Sequence, residues 1–229
     1  MSSQEVATIE EERALRRGRI MSDIAAVIFT IIELVLGLVY ASVASSLKLP
    51  SIYAILALGY TVSSIVALIS WIYSLKFSPR ALVGKSEREI VSFLTNVFQA
   101  LYEFHRSTKW TIVFGIALLV ILPIATAYLY TAYPGVYSAI LAFVIIGFML
   151  ALIGIFVVYR HVLPVFTAVQ KLYEIIQLSI AIVTLEVAII DKVVPIITIG
   201  TIMVIVSAIS LAIAVLRHRV LIHSVVPTF

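Results

Sequence analysis

Six stretches of this chain, near residues 23–46, 51–75, 111–132, 136–158, 172–190 and 195–216, are each long and apolar enough to cross a bilayer. A hydrocarbon core of about 30 Å needs roughly 20 mostly apolar residues in a helix. Few other folds can occupy that medium, because every backbone N–H and C=O must be satisfied inside the segment. Composition agrees, with 62% of residues hydrophobic and 12% charged, far from the balance of a soluble domain. Pro50, Pro134 and Pro195 stand at the starts of three of the stretches. A proline in the first turn sacrifices no hydrogen bond, so these positions read as helix starts. No alternation of period two recurs over strand-length segments, which argues against a transmembrane barrel. The sequence therefore predicts an all-α polytopic integral membrane bundle with six transmembrane helices.

The same pattern divides the chain into a charged cytoplasmic tail (1–22) and a first transmembrane hairpin (23–75). A cytoplasmic loop (76–110), two further hairpins (111–158 and 159–216) and a cytoplasmic C-terminal tail (217–229) follow. Of the 16 Lys and Arg, only Lys48 and Lys192 fall between the first and second or the fifth and sixth stretches; the other fourteen fall on the opposite side. That asymmetry predicts a cell-membrane protein with both termini in the cytoplasm. Topology accounts for the basic residues, so no nucleic-acid partner is expected. The tail from Glu5 to Arg19 places acids before bases, which suits a short charged helix.

Within the long loop, Ser86-Glu87-Arg88-Glu89 fits a capping box. Beyond it, Ile90, Phe93, Leu94, Val97, Phe98 and Leu101 recur on one helical face, while Ser92, Asn96, Gln99 and Glu103 fall elsewhere. The spacing predicts an interfacial amphipathic helix, with Phe93, Val97, Phe98 and Leu101 as a candidate docking face.

Ionisable groups inside a span are costly, so each needs a reason. Glu33 sits near the middle of the first span, flanked by Ile31, Ile32, Leu34 and Val35. A protonated carboxyl there can donate a hydrogen bond to another helix; an ionised one must find water, a cation or a basic partner. Gln170, Glu174, Gln177, Ala181 and Thr184 form one stripe down the fifth span. Glu33, Glu174, Gln177 and Thr184 are thus the candidate intramembrane polar site. The alternative is structural, with Glu33 in an interhelical hydrogen bond and Glu174 paired with Lys171 at the interface. Gly59, Ser63 and Ala67, and likewise Gly147 and Ala151, stand at the four-residue spacing of close helix approach. The polar residues of the three hairpins do not correspond, so no internal repeat is expected.

The chain has no cysteine, and its four histidines (His105, His161, His218 and His223) fall at or beyond span boundaries. Thiolate metal sites and a mid-bilayer haem are excluded. No zinc-protease, nucleophile-elbow or phosphate-loop motif occurs. Neither a cofactor nor an enzyme activity is expected. Two function classes stay open. A membrane-embedded subunit or scaffold of a larger assembly, with protein partners or as a homo-oligomer, is preferred because intramembrane chemistry is sparse, little chain lies outside the spans and Glu33 has no evident internal partner. The alternative is a small transporter or channel with a proton or cation route through Glu33 and the Glu174/Gln177 face. Replacing Phe93 and Phe98 together by Asp is expected to lower assembly and stability in detergent; wild-type behaviour would show that the face is not buried.

Overall fold

The computed structural model describes residues 3–76, 113, 117, 119–159 and 163–225, with side chains over 21, 24–72, 113, 117, 119–147, 150 and 173–216. The predicted interfacial helix, including Phe93, Val97, Phe98 and Leu101, lies outside this set. All regular structure among the described residues is helical. It comprises α1 (Ser3–Ser46), α2 (Ser51–Lys76), α3 (Leu119–Ala132), α4 (Pro134–Tyr159), α5 (Leu163–Ile190) and α6 (Val194–Val225). Four segments are long and apolar enough to cross a membrane: Ile24–Ser46, Ser51–Ile72, Tyr173–Ile190 and Val194–Leu216. Leu119–Ala132 and Pro134–Gly147 are shorter apolar stretches. One expectation changes. The charged N-terminal helix and the first span are a single unbroken α1 of 44 residues. At about 1.5 Å per residue it is roughly 66 Å long, about twice the hydrocarbon thickness.

The α1–α2 and α5–α6 turns are built alike. Lys48 and Lys192 both take left-handed backbone conformations, with φ of 50° and 58°. In the first turn the Leu49 amide donates to the Ala44 carbonyl and the Lys48 amide to Ser45. In the second, the Val193 amide donates to Ala188 and the Lys192 amide to Ile189. Both are Schellman ends, which satisfy the last helical carbonyls before the chain reverses.

The identical turns give the hairpins the same rotational phase. Counted back from Lys48 and Lys192, the buried positions coincide: Ala44 with Ala188, Tyr40 with Thr184, Gly37 with Ala181, Glu33 with Gln177, and Thr30 with Glu174. Counted forward, Ile52 matches Ile196, Leu56 matches Gly200, and Ser63 matches Ser207. A structural repeat is therefore present, although the central polar residues of the two hairpins differ in type. The helices pack in a ring, α1 on α2, α2 on α5, α5 on α6 and α6 on α1. The two hairpins are thus related by a pseudo-two-fold axis running along the bundle, with α1 facing α5 across it.

The remaining pair, α3 and α4, lies outside this ring, with α4 packed on α2 and α5. Tyr53 of α2 and Tyr130 of α3 both donate hydroxyl hydrogen bonds to Asp191 Oδ2, each at 2.8 Å. Within the α3–α4 pair, the Thr126 and Tyr137 hydroxyls bond to each other. All three hairpin turns therefore gather at one end of the bundle, the end that carries Lys48 and Lys192.

Glycines set how closely the hairpins close. A Cβ on Gly200 would stand 3.2 Å from the Leu185 backbone, and one on Gly37 would stand 2.7 Å from Thr61 Oγ1. Gly59 is held against Ile145 and Ile180, as its spacing suggests, whereas Gly147 has open space around it. Gly147 is thus not a close-approach position. Gly200→Val is expected to part α5 from α6 and cost about 1–3 kcal/mol of stability in detergent, against little change for Gly147→Val. Equal thermal unfolding of the two variants would contradict this packing.

Candidate functional site: a buried polar column

Four helices each send polar side chains to the middle of the ring. α1 contributes Glu33, α2 contributes Tyr60, Ser64 and Trp71, α5 contributes Glu174 and Gln177, and α6 contributes Ser207 and Ser210. Glu33, Glu174 and Gln177 are each 0% exposed, so neither bulk water nor lipid reaches them. Sequence spacing placed Glu174 and Gln177 on one face of α5; the ring turns that face toward α1, where Glu33 meets it.

The contacts run across the hairpin boundary. Gln177 Nε2 donates to Ser64 Oγ at 2.6 Å, and the Ser64 hydroxyl in turn donates to the Tyr60 carbonyl at 2.8 Å. The Tyr60 and Ser207 hydroxyls bond at 2.9 Å, with either able to donate. Trp71 Nε1 donates to Glu174 Oε1 at a long 3.4 Å, and Ser210 stands beside the same carboxyl. Ser207 and the Gln177 amide lie within reach of the Glu33 carboxyl, and Glu174 stands in its neighbourhood. None of these approaches has the geometry of a made bond, so both Glu33 oxygens stay unpaired. Nearer the turns, the Thr184 hydroxyl stands beside that of Tyr40, forming a second polar layer on the same axis.

The four predicted residues, Glu33, Glu174, Gln177 and Thr184, are thus brought to one column. Trp71 and Ser210 stand beside Glu174; its expected partner Lys171 lies outside the described side chains. So does Gln170. Glu186 falls off the column, half-buried near Tyr137 of α4. The α2 and α6 contributions were missed. Ser63 and Ser64 were legible only as small residues, and Ser207 and Ser210 sit three apart within the apolar stretch 202–216. Both pairs read as packing until their partners are known.

Glu33 Oε1 and Oε2, Glu174 Oε2, Gln177 Oε1 and Ser210 Oγ are all buried without a hydrogen-bond partner. An orphaned buried polar atom costs on the order of 1–3 kcal/mol, so this is an expensive arrangement. The basic residues among those with described side chains, Lys48 and Lys192, sit in the turns, away from the column. Among the described residues no group of three or more His, Cys, Asp and Glu could hold a metal. Two carboxyls among hydroxyls and an amide suit a proton or a monovalent cation better than a divalent ion, which wants more charge.

A structural bolt and a ligand site differ in what their removal does. Unpaired oxygens stabilise nothing, so Glu33→Met is expected to leave thermal stability in detergent unchanged or higher. A loss of more than about 2 kcal/mol would mark Glu33 as a structural bond instead. Comparison with protein-family models, with curated proteins and with solved structures finds no match.

Proposed function

We propose that this protein is a small proton-handling membrane transporter or channel whose binding site is the Glu33–Glu174–Gln177 column. The observation that carries this reading is the convergence of two fully buried carboxyls and an amide from opposite helices, with their acceptor oxygens unfilled. A proton fits such a site because it needs no coordination cage. An ionised Glu33 would accept from Ser207 and Gln177; a protonated one would donate to the same group at Ser207, with Tyr60 reversing its own bond. Loading and unloading would then need only hydroxyl rotation, once a path to water opened.

The site is occluded in this conformation, so transport requires a second one in which the column meets water. Six crossings are part of this proposal, with α3 and α4 completing the four spans. The gathering of all three turns at the Lys48/Lys192 end supports placing that end outside and both termini in the cytoplasm. A role as subunit or scaffold is the second reading; the placement of Glu33 among α5 and α6 side chains favours the site reading over an unpartnered carboxyl awaiting another chain.

In proteoliposomes under an imposed pH gradient, with choline as the only bulk cation, wild-type protein is expected to move protons. Glu33→Gln keeps shape and hydrogen bonding, and is expected to reduce that flux by at least about tenfold, the range for losing a positioned proton carrier. Flux that survives the change, or that requires added sodium, would remove proton transport through Glu33. Isolation from native membrane in stoichiometric complex with other chains would return the subunit reading to first place.

A further inference from the structure

The proposed proton site rests on residues that belong to a repeat, and the repeat says more about it than the residues do singly. Glu33 and Gln177 occupy the same position in the two hairpins, counted from Lys48 and Lys192. Each belongs to the helix that faces the other across the axis, and the Gln177 amide lies within reach of the Glu33 carboxyl. Their neighbours are related only loosely. Glu33 on α1 approaches Ser207 on α6, while Gln177 on α5 bonds Ser64 on α2, one residue beyond the Ser207 equivalent, Ser63. One layer toward the turns, Tyr40 and Thr184 are again equivalent positions whose hydroxyls stand side by side. Between these layers the equivalent positions Gly37 and Ala181 are both buried small residues, Gly37 closing on Thr61 of α2.

We propose that the proton is held on the pseudo-two-fold axis, between positions 33 and 177, and that Gln177 is a second binding residue equivalent to Glu33. The two hairpins then supply one half-site each, a carboxyl from the first and an amide from the second. Gln177 Oε1 is fully buried and unpartnered, as expected for an acceptor waiting on a proton it does not itself carry. Its amide nitrogen is fixed by Ser64, which orients the group. Glu174 has no carboxyl counterpart, since Thr30 stands at its equivalent position, and it biases the site from the second hairpin's side alone.

Equivalence has a direct test, because a carboxyl placed on either hairpin should serve. The exchange E33Q/Q177E moves the acid across the axis and conserves the total number of carboxyls and amides. Its proton flux in proteoliposomes is expected to return to within about threefold of wild type, where E33Q alone loses at least about tenfold. The carboxyl infrared band of the exchanged protein should titrate with pH as wild type does, within about one unit. Failure to restore flux in a protein that unfolds at the wild-type temperature, with a displaced carboxyl titration, would overturn the axial site. Should E33Q itself keep full flux, the proton-transport reading fails on that result. The infrared comparison then still decides whether positions 33 and 177 are equivalent.

Discussion

Inside hydrocarbon, a polar side chain has only other protein groups to turn to, and the arrangement of this bundle follows from that restriction. Apolar helices have little reason to prefer one rotation over another, since a leucine against lipid is nearly as well off as a leucine against leucine. A buried carboxyl removes that freedom. Glu33 can leave the lipid only by facing the middle of the ring, and this sets the rotation of α1. Glu174 and Gln177 do the same for α5, and the serines of α6 and the Tyr60–Ser64 turn of α2 close the circle. The outer faces of α1 and α6 keep Ile28, Ile31, Val35, Ile202 and Ile205 exposed, as a lipid-facing surface requires.

Burial of this kind comes at the expense of stability, which bears on why it exists. A bundle selected for rigidity alone would pair these oxygens or replace them with methyl groups. Ser63, Ser64, Thr126 and Thr30 show the ordinary solution, each bonding a carbonyl one turn back on its own helix. Glu33 and Gln177 depart from it, leaving acceptors open at the centre of the ring. Such a deficit is what the proposed site would fill on binding.

The long apolar stretches were readable from sequence because a span needs a run of about 20 residues and nothing subtle. The polar stripe on α5 was readable because periodicity alone puts Glu174, Gln177 and Thr184 on one face. What Glu33 faces was not, since helix order round the ring is a tertiary fact. The repeat escaped for a different reason. Its central equivalences lie in position from a turn, not in residue type: Glu33 pairs with Gln177, and Tyr40 with Thr184. A left-handed Lys48 or Lys192 is likewise invisible, since such turns usually carry glycine. Gly200 and Gly37 looked no different from Gly147, although only the first two hold helices together. Continuity of α1 from the charged tail into the membrane was hidden because a change in polarity suggests a boundary where the backbone has none.

The two Schellman turns divide the ring mechanically. Each locks one hairpin at its end, and Gly37 against Thr61 or Gly200 against Leu185 locks it again along its length. The α1–α2 and α5–α6 seams are therefore stiff. The other two seams, α1 against α6 and α2 against α5, have no covalent turn; the Gln177–Ser64 bond crosses the second, and Glu33 makes no such bond across the first. Hydroxyl and amide bonds can be exchanged for water one at a time, whereas backbone contact across a glycine cannot. The compliant direction of this bundle is thus a shear between hairpins, and it runs through the layer where Glu33 meets Gln177.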